Sequence, residues 1–289
     1  MQAYIIHLLI LISIYAILAL SLNLIMGYTG LVSVTHATFF GIGAYATAIV
    51  NTTYHVSFFP SLLIGILTSM IVAALIGLVL SKFRGDFYVL GSLGFNIITY
   101  AVMINWQNLT GGPLGIPGIG RPKLFSINFY DNFNFLLLTL FCLILVYLAC
   151  RFIVTSSFGR ALKAIREDEQ ALSVFGYKTS GYKLLIFTIG AGLAAVAGSL
   201  FASYITYIDP STFTVTESIF IIAVIILGGL ANLQGSLLGA LFLLLLPEML
   251  RFVGFPDSIA AQMRQLVYGL LLVILMLYRP QGLVGEYTL

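Results

Sequence analysis

The sequence predicts an all-α membrane protein, a polytopic bundle of about nine transmembrane helices with one amphipathic cytoplasmic helix between two of them. Three observations predict it. Hydrophobic residues make up 60% of the 289 and charged residues only 8%, against about 25% charged in an ordinary soluble domain, so a water-facing surface cannot be built. The first 81 residues contain no Asp, Glu, Lys or Arg. A charge at a membrane helix centre costs about 2.5 to 3.5 kcal/mol on insertion scales, and this stretch avoids that cost throughout. Nine of the chain's 23 charged residues are gathered between Arg151 and Lys183.

The run from Ile5 to Ile25 lacks a basic n-region and an Ala-x-Ala cleavage site, and more apolar chain follows it; it reads as the first span and not as a secretory signal. Further apolar runs follow at 31–50, 59–81, 87–106, 133–150, 184–206, 217–230, 235–250 and 262–278, the first occupying 4–26, to be set against the 17 to 25 residues or so that cross about 30 Å of hydrocarbon. Gly27, Gly30, Gly41 and Gly43 frame the second run, and Gly228, Gly229, Gly235 and Gly239 separate the seventh from the eighth. Breaks or re-entrant turns are expected there. Cys142 and Cys150 lie in one apolar run, too far apart along a helix for a disulfide, and read as packing residues.

Cytoplasmic loops collect Lys and Arg. With the Arg151–Lys183 loop inside, Lys82, Arg84 and Arg279 also fall inside, while Arg121, Lys123, Arg251 and Arg264 fall outside, nine basic residues against four. An odd number of spans puts the N-terminus outside and the C-terminus in the cytoplasm. The 106–132 segment, rich in Gly and Pro, becomes an external loop, either a surface for an external partner or a structured connector.

Within the charged loop, Ser156 to Leu172 reads as one short helix, with Ser157 able to cap it and Gly176 able to end it. Leu162, Ile165 and Leu172, joined by Phe175, fall on one stripe. Its bases come first and its acids last, the reverse of what the helix dipole favours by roughly 0.3 to 1 kcal/mol per charge. That order points to a partner. The plainer alternative is a solvated loop that obeys the positive-inside rule.

Polar residues inside the spans are few. Ser33, Thr35, His36 and Thr38 form the densest cluster, beside the glycine-framed second run. Broken backbone in a membrane must be paired within the protein or line a wet cavity, so this cluster is a candidate translocation segment, with Asn96 and Thr99 of the fourth span able to face it. The competing reading is hydrogen bonding across close-packed helices; for His36 it is hydrogen bonding in place of a proton relay. Asn23 reads as pairing with a neighbouring helix, and Gly77, Gly192 and Gly198 as packing glycines. Asp209 and Glu217 flank the external end between the sixth and seventh spans. No metal-ligand spacing, nucleophile–base pair, cofactor motif or GxxxxGK[ST] sequence occurs, so catalytic residues, a metal and a bound cofactor are not expected in this chain.

Three blocks resemble the permease subunits of bacterial branched-chain amino acid ABC importers, the LivH and LivM family. The first runs from Leu22-Asn23-Leu24 through Gly27, Gly30, Ser33, Phe39, Gly41, Gly43 and Ala44 to Tyr45. The second is Gly159-Arg160, Ala164-Ile165-Arg166, Asp168, Ala171 and Gly176. The third runs from Glu217-Ser218 through Gly228-Gly229, Gly235 and Gly239 to Pro247-Glu248, with Arg279-Pro280-Gln281-Gly282-Leu283 near the end. The Ala-Ile-Arg-Glu-Asp run and the Arg-Pro-Gln-Gly ending are closer to the LivM side.

The resemblance implies that residues 1–289 form one importer transmembrane domain in the bacterial inner membrane, surrounded by lipid. Residues 151–183 would be its coupling loop, whose Gly159, Arg160, Ala164, Arg166, Glu167, Asp168, Ala171 and Gly176 meet a separate nucleotide-binding ATPase. It further implies two such ATPase subunits holding ATP and Mg, a second LivH-like permease and an extracytoplasmic binding protein; no nucleic acid is involved. Urea and short-amide permeases share much of the pattern, and the substrate stays open. A secondary transporter is the competing class. Asp86, Asp131, Asp209, Glu217, Glu248 and Asp257 all fall near predicted span ends, where a proton- or cation-coupled carrier would place acids deeper.

Overall fold

A computed structural model describes residues 2–83, 85–124, 127–252, 266, 269–270, 273 and 281–284. The elements are α1 (Gln2–Thr29), α2 (His36–Tyr54), α3 (Phe58–Leu80), α4 (Asp86–Asn105), α5 (Gln107–Thr110), α6 (Asn132–Thr155), α7 (Ser157–Glu167), α8 (Glu169–Val174), α9 (Thr179–Ile205), α10 (Val215–Gly228) and α11 (Leu233–Phe252). Two short antiparallel ladders join loops: β1 (Ile116–Pro117) pairs β4 (Tyr207–Ile208), with Ile116 opposite Ile208, and β2 (Lys123–Leu124) pairs β3 (Ile127–Asn128).

The chain is an all-α multi-pass membrane protein. α1, α3, α4, α6 and α9 are each long and apolar enough to cross a membrane; α10 and α11 qualify only as a pair, bent by 119° at the break between them. Among the described residues this makes five single spans and one bent pair. The glycine-framed runs are the ones that depart from simple spans. α2 begins at His36 and not at residue 31, because residues 30–35 are non-helical and Gly30 takes φ +73°. The expected seventh and eighth spans are the two arms of the bent pair, turning at Gly229 with φ +114°. The expected span at 262–278 lies outside the described residues, apart from four isolated positions.

α1 and α9 form the buried axis, while α3, α4 and α6 lie outside and leave Leu63, Leu67, Ile98, Phe141 and Ile144 exposed, as lipid-facing helices do. Small residues let the axis close. A Cβ added at Gly43 would sit 2.6 Å from the Ala195 Cβ, one at Gly192 would sit 2.9 Å from Met70 Cγ, and one at Gly198 would overlap the Phe40 carbonyl. Thr47 Oγ1 and Ser199 Oγ lie 2.7 Å apart, and Ser69 Oγ donates to Ala191 O at 3.0 Å. Without a hydrophobic driving force in lipid, close backbone approach and interhelical hydrogen bonds hold helices together. Cys142 and Cys150 are buried free thiols.

Contacts show which elements share an end of the bundle. His7 Nδ1 lies 2.6 Å from Tyr204 OH, and Arg121 donates to Tyr130 O, Asn132 Oδ1 and Tyr204 O. The start of α1, the finish of α9 and the 106–131 loop therefore lie together. At the opposite end, the finish of α1 meets α7.

Candidate functional site

The charged segment leaves α6 at Thr155 and rejoins α9 at Thr179, so Arg151 and Lys183, read from sequence as loop residues, are helical. The single helix expected over 156–172 is two helices. Ser156, and not Ser157, caps α7, accepting from Gly159 N at 3.3 Å. Gly159 is buried, and a Cβ there would lie 2.5 Å from Ile153 O and overlap Val154 O, so α7 can fold back on α6 only at a glycine. At Asp168 the backbone is extended (φ −155°, ψ 97°), and its carboxylate accepts from Gln170 N and Ala171 N at 2.9 Å to open α8. Gly176, at φ +86°, follows the end of α8.

The break changes the meaning of the charge order. Arg166 lies in the last turn of α7, and Asp168 and Glu169 open α8, where the helix dipole favours each sign. Local stability explains these three charges, but not Arg160 in the first turn of α7 or Glu167 at its end, where the dipole favours the opposite sign. Leu162 and Ile165 are buried and Leu172 is half-buried, but Phe175, expected on their stripe, is 79% exposed beside Val174 at 86%. The stripe stops because α8 ends first.

The element has two faces. Outward, Arg160, Glu167, Asp168 and Ala171 are exposed, and Arg160 donates to Ser157 Oγ at 2.9 Å. Half-buried Ala164 lines a groove of about 470 Å³ with Phe158, Arg160, Ala161, Leu172 and Tyr182. Inward, Arg166 donates to the main-chain carbonyl of Gly27, and Lys163 Nζ lies 5.7 Å from the centre of the Tyr28 ring. Glu169 pairs with Lys183 and accepts from Thr179 Oγ1 at 3.0 Å, fastening α8 to α9.

A second cluster lies where α2 begins. Ser33 Oγ is 2.8 Å from Thr35 Oγ1; Val34 N donates to Ser92 Oγ at 3.0 Å; Asn96 Nδ2 donates to Val34 O and to Ser218 Oγ, both at 2.9 Å; and Ser218 Oγ accepts from Ala37 N at 3.0 Å. Side chains of α4 and α10 thus satisfy the backbone that the missing helical turn leaves open. Ser21 Oγ donates to Leu18 O at 2.8 Å, which makes His36 Nε2, 2.6 Å away, the donor to Ser21 and leaves Nδ1 as the acceptor. Among the described residues His36 Nδ1, Thr38 Oγ1 and Asn96 Oδ1 are buried without a hydrogen-bond partner.

Ser33, Thr35, His36 and Asn96 therefore gather in one knot. Thr99 does not join it: half-buried, it donates to Phe95 O one turn back at 3.0 Å. Ser21, Ser92 and Ser218 also belong to the knot; Ser218 was named only within the third family block, and Ser21 and Ser92 were not singled out from sequence, although the four-residue spacing of Ser92 and Asn96 places both on one helix face.

Expected at the external end with Asp209, Glu217 lies deeper along α1. It stands in the first turn of α10 and accepts from Tyr15 OH at 2.5 Å. Tyr15 is roughly 12 Å further along α1 than His7, at 1.5 Å per residue, which brings this carboxylate alongside the middle of α1.

The turn between α10 and α11 is fastened by α1 and by the far C-terminal segment. Asn23 Oδ1 accepts from Ala231 N at 3.0 Å, and Nδ2 donates to Asn232 O at 2.9 Å and Ser236 Oγ at 2.6 Å. Leu283 N and Val284 N donate to Leu227 O and Gly228 O at 2.9 and 3.1 Å, taking up carbonyls that the end of α10 leaves open.

Helices broken inside the bundle, a buried polar knot at the break and a charged element hooked to one end define a multi-pass membrane transport protein. Residues 4–276 match the family model described as branched-chain amino acid transport system / permease component, and the chain belongs to that family. It is 34% identical, over 93% of its length and 67% of theirs, to the high-affinity branched-chain amino acid transport system permease proteins LivM of Salmonella typhimurium and Escherichia coli K12. It is 26% identical to LivH of Escherichia coli K12 over 95% of its own length and 92% of the relative's. No solved structure matches it.

Proposed function

We propose that this chain is the LivM-type permease subunit of an ATP-driven importer of branched-chain amino acids. A second, LivH-like permease completes the pathway, two ATPase subunits hold ATP and Mg, and an extracytoplasmic binding protein delivers the substrate. The observation that carries this reading is the two-faced α7–α8 element, which is exposed along Arg160, Glu167, Asp168 and Ala171 and tied inward through Arg166 to α1. An element that takes up motion from outside the membrane needs both faces. Gly159 and Gly176 shape it, and Ala164 lines its groove.

The loop end is cytoplasmic on this reading, because the basic residues gather there, and the N-terminus of α1 is outside. The whole of 1–289 acts as one transmembrane domain, and Ser33, Thr35, His36 and Asn96 form the part of the path nearest the break. Their two unpartnered polar atoms, His36 Nδ1 and Asn96 Oδ1, support that role, since buried polar groups are normally paired and these stand ready to pair when the helices move. Thr99 contributes least.

Glu217 beside Tyr15 favours a second reading, an ion-coupled carrier, because an intramembrane carboxylate is a functional candidate. Purification of the tagged chain from native membranes separates the two. The importer reading expects a second permease and ATPase subunits to copurify. A chain that purifies alone and takes up substrate on an ion gradient in liposomes overturns it.

A further inference from the structure

Gly27 is where two distant parts of the molecule meet. Its carbonyl accepts Arg166 of α7. Its missing side chain leaves room for Asn23: a Cβ at Gly27 would overlap Asn23 Oδ1 and lie 2.6 Å from Ala231 N. Asn23 in turn makes three hydrogen bonds to the turn between α10 and α11, to Ala231 N, Asn232 O and Ser236 Oγ, and holds Ala231 in a left-handed conformation at φ +59°. Asn23 is fully buried. A buried amide with both ends engaged cannot slide against its partners without leaving polar groups unpaired, so α1 and this turn are joined as firmly as two parts of one element.

We infer that Asn23 is a positioning residue that makes the last two turns of α1 and the α10–α11 turn one rigid body. Displacement of α7 then reaches the broken helix pair through Arg166, Gly27 and Asn23. The inference rests on the reading of α7 as the element the ATPase moves.

The test uses the assembled permease–ATPase complex in proteoliposomes, with Cys142 and Cys150 replaced by alanine, and reads substrate uptake and ATP hydrolysis side by side. In Asn23→Cys with Ser236→Cys, the reduced protein loses the hydrogen bonds; uptake is expected to fall about tenfold, within the ordinary range of coupling between sites, while ATP hydrolysis continues at the parental rate. Oxidation to the disulfide rejoins α1 to the turn and restores uptake. Gly27→Ala, which displaces Asn23 without removing it, gives the same separation of hydrolysis from uptake, and adding Asn23→Ala to it brings no further loss. The inference is overturned if the reduced protein takes up substrate normally, if hydrolysis and uptake fall together, or if the disulfide abolishes uptake, since the turn would then have to part from α1 during each cycle. Absence of ATP-dependent uptake in the parental complex strikes the importer reading itself, and with it this inference; the variant outcomes in an active complex bear on Asn23 alone.

Discussion

The guanidinium of Arg166 donates a hydrogen bond to the main-chain carbonyl of Gly27, joining α7 to the last turn of α1 across 139 residues of sequence. The carbonyls of a helix's last turn have no partner within the helix, and a cation there also meets the negative end of the dipole. The contact therefore stabilises α1 while it tethers α7.

Arg166 and Arg160 separate the two faces of the loop element. Arg166→Ala is expected to lower the unfolding stability of the purified protein by about 1.5 to 3 kcal/mol, the range for a hydrogen bond to a charged group, and to reduce uptake, with Arg166→Lys recovering part of both. Arg160→Glu changes an exposed residue, so stability stays within about 0.5 kcal/mol, while copurification with the ATPase is lost. Thermal unfolding in detergent and a pull-down check the two effects separately.

Gly159→Ala places a methyl group against the Ile153 and Val154 carbonyls. Overpacking of this kind typically costs about 1 to 3 kcal/mol, and here it also opens the angle between α6 and α7. The expected outcome is a lower melting temperature together with weaker ATPase association, whereas Gly181→Ala, where nothing lies within 4 Å of the added Cβ, lowers neither.

How much of this was legible in the sequence differs from element to element, for physical reasons. The long spans could be read because apolar length alone meets the membrane's requirement, and the glycine clusters did mark the helices that break. The break at Asp168 was missed because the run from Ser156 to Leu172 keeps a helical apolar stripe across it; Asp168 as an internal cap was the available signal. Ser156 and Ser157 are adjacent, and only the backbone distinguishes the cap. The partners of Asn23 and Arg166 lie 209 and 139 residues away, and nothing local announces them. Glu217 was read as an end residue from its place in the chain, whereas its depth follows from how α10 leans on α1.

Asn96 and Thr99, three residues apart, should behave differently. Asn96→Ala leaves the Val34 carbonyl without a side-chain donor and removes one of Ser218's partners, at about 1 to 3 kcal/mol for a stranded buried group, and uptake falls with stability. Thr99→Val loses only a bond to its own helix, so uptake and melting temperature stay near the parental values.

Glu217→Gln keeps an acceptor for Tyr15 and removes the charge. The importer reading expects ATP-driven uptake to persist with an unchanged pH profile, while an ion-coupled carrier loses gradient-driven uptake. Uptake measured against pH in proteoliposomes distinguishes them.

Whether the chain works as an importer subunit is decided by leucine uptake into proteoliposomes holding this chain, its partner permease and their ATPase, with the binding protein outside and ATP inside. Uptake is expected to require ATP and binding protein and to be competed by isoleucine and valine but not by urea. Uptake that proceeds without ATP, or that urea competes while the branched-chain amino acids do not, would contradict the proposed function.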